Sequence, residues 1–315
     1  MSRRKHIHSG IAGVLCLILL GLGAQHRLRC EEPAGFRGDR AFEDLKKIVA
    51  FGPRPAGSKA LRETREWMLQ RLKETGAQIE EDPFVASTPV GNISMTNLIV
   101  KFPGARSQVV IVAGHYDTMR SESFRFVGAN DGGSSAALLM ELSRLLGQGK
   151  HALTYWLVFF DGEEAEQQWS DSDSLYGSRH LVQKLAATGE LSRVGAMILV
   201  DMIGEAKLDV RRDANSTPWL TDLVFHTARQ LGYGKNFLDD QTAVVDDHMP
   251  FVNAGVSAVD LIGLNYGPRT AAHAFGGYWH TANDTLEHCS ALSMTIVGRV
   301  VLASLAELEK SPRLK

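Results

Sequence analysis

Apolar residues in this chain gather into short continuous runs separated by stretches with helical spacing. Residues 109–113, 153–160, 194–200 and 256–262 are dense in Val, Ile, Leu and aromatics. Unbroken runs of that length predict strands buried on both faces. Between them, residues 59–75 place Leu61, Trp67, Met68 and Leu72 on one side of a helix. Residues 41–50, 136–146, 175–185, 217–231 and 292–308 have the same helical character. Two further strand-like pieces, 78–85 and 93–102, are joined by a polar loop containing Pro89 and Gly91, and Pro103-Gly104 makes a turn. Residues 51–58 (FGPRPAGS) force a loop. Strands alternating with helices predict an α/β fold: a single three-layer domain, with a mostly parallel central β-sheet and helices on both faces. No boundary divides residues 41–310 into two cores.

Composition changes this picture only at the start. Arg3, Arg4 and Lys5 precede a 14-residue apolar stretch, residues 11–24. That is too short to span a membrane comfortably, and it predicts a signal peptide over residues 1–24 with export to the periplasm or beyond; an uncleaved membrane anchor is the alternative. Residues 25–40 then form a polar linker and 311–315 a tail. Arg29 before Cys30 argues against lipidation. Cys16 and Cys30 lie in or beside the leader, which leaves Cys289 alone in the folded region and excludes an internal disulfide framework. A net charge of −2 without a long basic run excludes a nucleic-acid footprint.

Potential metal ligands recur at one place, at or soon after the ends of the apolar runs. They are His115, Asp131, Glu164, Asp201 and His280. Imidazoles mixed with carboxylates suit zinc and leave positions for water or substrate. The run 153–160 ends in Asp161-Gly162-Glu163-Glu164. Adjacent carboxylates repel unless they divide their work, with Glu164 on a metal and Glu163 free to carry protons. Each residue taken alone has a plainer reading: His115 as a hydrogen-bonded loop histidine, Asp131 as a helix N-cap, Asp201 as a turn residue, His280 as a half-buried surface residue.

HYD at 115–117, GANDGGSS at 128–135, DGEE at 161–164, LVDMIG at 199–204 and WHT at 279–281 resemble the M28 zinc aminopeptidase superfamily. Within it, residues 159–181, 245–251 and 275–280 resemble the glutaminyl-peptide cyclotransferases, or glutaminyl cyclases. The resemblance covers about residues 41–310. It implies a zinc aminopeptidase-like fold and a zinc ion held by Asp131, Glu164 and His280. It also implies Glu163 as proton shuttle, with Asp201 and Asp246 in an acidic network, and Trp169, Phe275 and Trp279 as pocket walls. His115 and Asp201 match positions that bind a second zinc in two-metal aminopeptidases. The implied substrate is a peptide or protein N-terminus. Gly114 and Ala136 stand where animal cyclases carry a disulfide, so that bridge is absent. Residues 130–134 are closer to the aminopeptidase form. Three functions stay open on the sequence: a cyclase converting N-terminal Gln to pyroglutamate, an aminopeptidase, and an inactive binding ectodomain.

Overall fold

Strand β4 (Thr154–Phe160, TYWLVFF) is buried at every position and lies inside a six-stranded sheet. Its neighbours are β3 (Val109–His115) on one side and β2 (Gly91–Phe102) on the other. Beyond them, β1 (Gln78–Thr88) forms one edge, while β5 (Val194–Asp201) and β8 (Ala258–Ile262) complete the other side, giving the order β1-β2-β4-β3-β5-β8. The computed structural model describes Met1, residues 35–269 and residues 276–314. Residues 2–24 of the expected leader, Cys16, Cys30 and Phe275 lie outside those residues.

The block β4-β3-β5-β8 is parallel, and β1 and β2 add an antiparallel hairpin to its edge. The polar loop expected over 86–92 is mostly strand. Only Pro89 and Val90 separate the two ladders, which pair from Gln78↔Lys101 to Thr88↔Gly91. Pro83 is tolerated in β1 because an edge strand has one unpaired side.

Side chains alternate across the sheet. Val110 and Val112 face a large core with Leu157 and Ile198. Val109, Ile111 and Ala113 face a second core with Trp156, Leu181 and Phe251. The first core is covered by α1 (Gly38–Ala50), α2 (Lys59–Lys73), α3 (Gly133–Leu146), α5 (Pro218–Gln230) and α7 (Ala291–Lys310). The second is covered by α4 (Tyr176–Thr188) and the short α6 (His248–Asn253). Burying a large apolar side chain contributes about 1.5–3 kcal/mol, so the two faces dominate stability. Helix α7 is long and apolar enough to cross a membrane, but it packs against α1, α3 and α5.

Gly114 shows why α3 can lie so close. A Cβ there would sit 2.7 Å from both Val200 O and Ser135 Cβ, so no larger residue fits between β3, β5 and α3. Two expected boundaries move. The linker over 25–40 ends earlier, because Phe36 is buried in the first core and α1 begins at Gly38. The tail expected over 311–315 is docked through residue 314, because Leu314 is buried and its carbonyl accepts a bond from Arg106. Among the α-helices and strands of the described residues, α6 and the parallel pair β6 (Val210–Asp213) and β7 (Phe237–Thr242) had no forecast.

Candidate metal centre and active site

Parallel strands end together, so β3, β4 and β5 deliver their last residues to one edge, where open α/β sheets form crevices. His115 ends β3 and Asp201 ends β5. Glu163 and Glu164 lie just past β4, in a turn that Gly162 enters with φ of 71°. Asp131 precedes α3, but the N-cap of that helix is Gly132, so Asp131 is released from capping. Asp246 comes from the turn between β7 and α6, and His280 from the segment before α7.

These side chains fall into two groups that share Asp131: Asp131 with Glu164 and His280, and Asp131 with His115 and Asp201. In the first, His280 Nε2 lies 3.3 Å from Asp131 Oδ2 and 3.3 Å from Glu164 Oε2. Donors on two zinc bonds of about 2.0–2.1 Å at a tetrahedral angle sit roughly 3.3–3.4 Å apart. In the second, His115 Nε2 lies 3.1 Å from Asp131 Oδ1 and 3.2 Å from Asp201 Oδ1. Glu164 Oε1 is buried without a hydrogen bond. A buried carboxylate oxygen left in that state is costly unless a cation takes its lone pairs. The donor set therefore fits a divalent ion such as zinc.

Electrostatics point the same way. Burial alone would lower the His280 imidazole, but the Glu164 and Asp131 carboxylates push it up to about 11. Burial raises Glu164, while Asp131 is held well below the ordinary range by His115 and His280 despite burial. This cluster calls for positive charge, and a metal ion competes with the histidine proton for the place. Glu163 differs: burial pushes its carboxyl well above the ordinary value, with Glu164, Asp246 and Asp247 adding to the rise against His115. It thus holds a proton more readily than an ordinary carboxyl. Asp246 and Asp201 are likewise raised, mainly by burial.

Several residues that hold the site were given no role by the sequence, although one of them, Asp117, lies in the HYD motif. Asp117 accepts the backbone N–H groups of Glu163 (3.2 Å) and Glu164 (3.3 Å), fixing the turn that presents both acids. Asp284 accepts those of Asn130 (2.8 Å) and Asp131 (3.1 Å), and its third bond comes from the Tyr266 hydroxyl at 2.7 Å. Arg54 is fully buried beneath them, donating to the carbonyls of Gly52, Tyr116, Val127 and Gly128. Its charge faces Asp284, Asp117 and Asp131. Among the described residues, the non-glycine positions with positive φ are Leu175, Met202 and His280. Each costs roughly 1–2 kcal/mol, and all three adjoin this edge, where strain serves placement.

A cavity of about 210 Å³ opens above these side chains. Trp169, Val244, Val245, Leu264 and Trp279 line it together with Asp131, Glu163 and Glu164. The Trp279 ring stacks on His280 with centroids 4.1 Å apart. Trp169 stands at the mouth, 40% exposed.

Residues 97–305 match the model of peptidase family M28. The chain belongs to peptidase family M28. Within that family its relatives include a glutaminyl-peptide cyclotransferase-like protein of Bos taurus, 30% identical, the alignment covering 82% of this chain and 72% of the relative. The fold matches the crystal structure of a glutaminyl cyclase from an Acidobacteriales bacterium at 41% identity and a TM-score of 0.85, covering 91% of this chain and 99% of that one. A Zn-dependent exopeptidase from Parabacteroides distasonis matches at 25% identity and a TM-score of 0.77, covering 86% and 98%. The chain stands in the glutaminyl-peptide cyclotransferase branch of the M28 family.

Proposed function

We propose that this protein is a zinc-dependent glutaminyl-peptide cyclotransferase, acting on peptide or protein N-termini that begin with glutamine. The observation that carries this reading is Glu163, a buried carboxyl outside both ligand groups that lines one mainly apolar cavity together with Asp131, Glu164 and His280. Proton transfer within an enclosed pocket is what cyclisation needs. A zinc ion bound by Asp131, Glu164 and His280 would supply Lewis acidity to the side-chain amide of the substrate.

The chain's own residues do the rest. The α-amine of the N-terminal glutamine attacks its own Cδ, a C–N bond forms, and the side-chain nitrogen departs as ammonia. Intramolecular attack of this kind can reach effective molarities on the order of 10⁵ M, provided the chain is held folded on itself. Trp169 and Trp279 are assigned to that packing and to excluding water; Phe275 is assigned with them on the family resemblance alone. Glu163, entering the cycle as the carboxylate, takes the proton released by the attacking amine and, then protonated, returns it to the leaving nitrogen, a task suited to a carboxyl whose proton affinity burial has raised. Asp201 and Asp246, also raised by burial, hold the surrounding acid network. Residues 1–24 are assigned to export.

The His115–Asp131–Asp201 group favours a second reading, an aminopeptidase with two metal ions. Incubating the metal-loaded enzyme with Gln-initiated and Leu-initiated dipeptide derivatives separates the two. Pyroglutamate and ammonia from the first, with the second untouched, is the expected outcome. Free leucine from the second, with two zinc ions per chain, would replace the cyclase reading by the peptidase.

A further inference from the structure

Trp169 sits on a loop that contains no regular structure, yet a single carboxylate gathers the backbone of that loop. Asp173 Oδ1 accepts the N–H of Glu166 at 2.8 Å, and Oδ2 accepts those of Gln167 at 2.9 Å and Gln168 at 2.8 Å. The Tyr176 hydroxyl donates to Oδ1 at 2.8 Å. The Asp173 N–H closes the turn on Ser170, bonding its carbonyl at 3.1 Å and its hydroxyl at 3.1 Å. Asp173 is only 3% exposed, although Trp169 and the residues around it are open to solvent. Burial alone would raise its carboxyl, but the amides of Gln168, Glu166 and Gln167 and the Tyr176 hydroxyl bring it below the ordinary value. A charged acceptor for consecutive amides is among the stronger ways to fix a loop.

The same stretch also holds the proton-carrying turn. Two residues after Asp173, the Leu175 N–H donates to Glu163 O at 2.8 Å, and the Tyr176 N–H donates to Gly162 O at 2.8 Å. One short segment thus ties the mouth of the cavity and the Glu163 backbone to the start of α4. From this geometry we infer that Asp173 is a positioning residue for substrate binding, holding Trp169 as a fixed wall over the cavity. It rests on the cyclase reading only in the choice of substrate, because the position of Trp169 can be measured without turnover.

The test is a cycle of Asp173→Asn, Trp169→Ala and the double variant, assayed on a Gln-initiated peptide with the metal-loaded enzyme. Asparagine keeps the shape but presents an amide N–H to donors that need an acceptor. Asp173→Asn is expected to raise KM on the order of tenfold with kcat within about twofold, and the double variant is expected to be no weaker than Trp169→Ala alone. In parallel, acrylamide quenching of the fluorescence that Trp169→Phe removes should increase in Asp173→Asn. Unchanged KM and quenching, or losses that multiply in the double variant, would overturn the inference. Equal loss of kcat and kcat/KM would also overturn it, as a fault in the Glu163 turn. Should Asp173→Asn fail to fold, Tyr176→Phe removes one of the bonds and is expected to raise KM about twofold to threefold; unchanged KM there would count against it. An inactive wild type showing the quenching change would sink the cyclase reading and leave the role of Asp173 standing.

Discussion

Glu205 is 2% exposed, on the loop that follows β5. Burial is the main cause that pushes its carboxyl from 4.5 up to about 8, with the amide of Asp209 pulling the other way. Between those two values the native chain holds a proton that the unfolded chain has released. Stability from this group is therefore complete below about pH 4.5 and is lost as pH rises to about 8. Glu205→Gln keeps the shape without titrating. The gain in stability of the variant over the wild type should grow with pH across that window, on the order of 1.4 kcal/mol per unit. Thermal or denaturant unfolding at several pH values measures it, and a flat difference would show that Glu205 is ionised when folded. Residues of this kind mark the limit of the sequence. His115, Asp131, Glu164, Asp201 and His280 could be picked out because strand ends precede them. The roles of Asp117, Asp284, Asp173 and Arg54 could not, even where a motif contained the residue, because each works by collecting backbone groups from loops that pattern alone does not shape.

At the scale of elements, the legible parts were those whose burial is written in an unbroken apolar run. Strands β3, β4 and β5 are buried nearly throughout, and their runs announced them. Strand β7 (FLDDQT) was missed because its middle is exposed and acidic, and β6 (VRRD) because four residues carry no period. The C-terminal turn was misjudged for a related reason. Its charged residues look like a tail, but Arg106 reaches the carbonyls of Glu309 and Leu314 at 2.8 Å each, and Leu314 is buried. Leu314→Asp should lower stability by roughly 1–3 kcal/mol, read as a fall in the denaturant midpoint with activity at room temperature retained. An unchanged midpoint would mean that this turn contributes nothing to the fold in solution.

Taken whole, the molecule is a sheet whose four parallel strands fix where the chemistry can occur. That location was readable because strand, polar loop and helix recur in order, and direction follows from parallel pairing. Distances were not readable: no pattern in the chain says that His280 comes within 3.3 Å of both Asp131 and Glu164 across more than a hundred residues. Nor does ligand type distinguish one metal from two, since Asp131 belongs to both groups. The division of labour proposed for the neighbouring acids draws on the whole edge, with Asp117 gripping their turn and Asp131 released from its helix. It is tested most directly by Glu163→Gln, with zinc content and turnover of a Gln-initiated peptide measured on the same preparation. Full zinc with turnover reduced by about 10²–10⁴ is the predicted result. Zinc lost along with activity would make Glu163 a ligand, and turnover retained with zinc bound would remove its part in moving the proton.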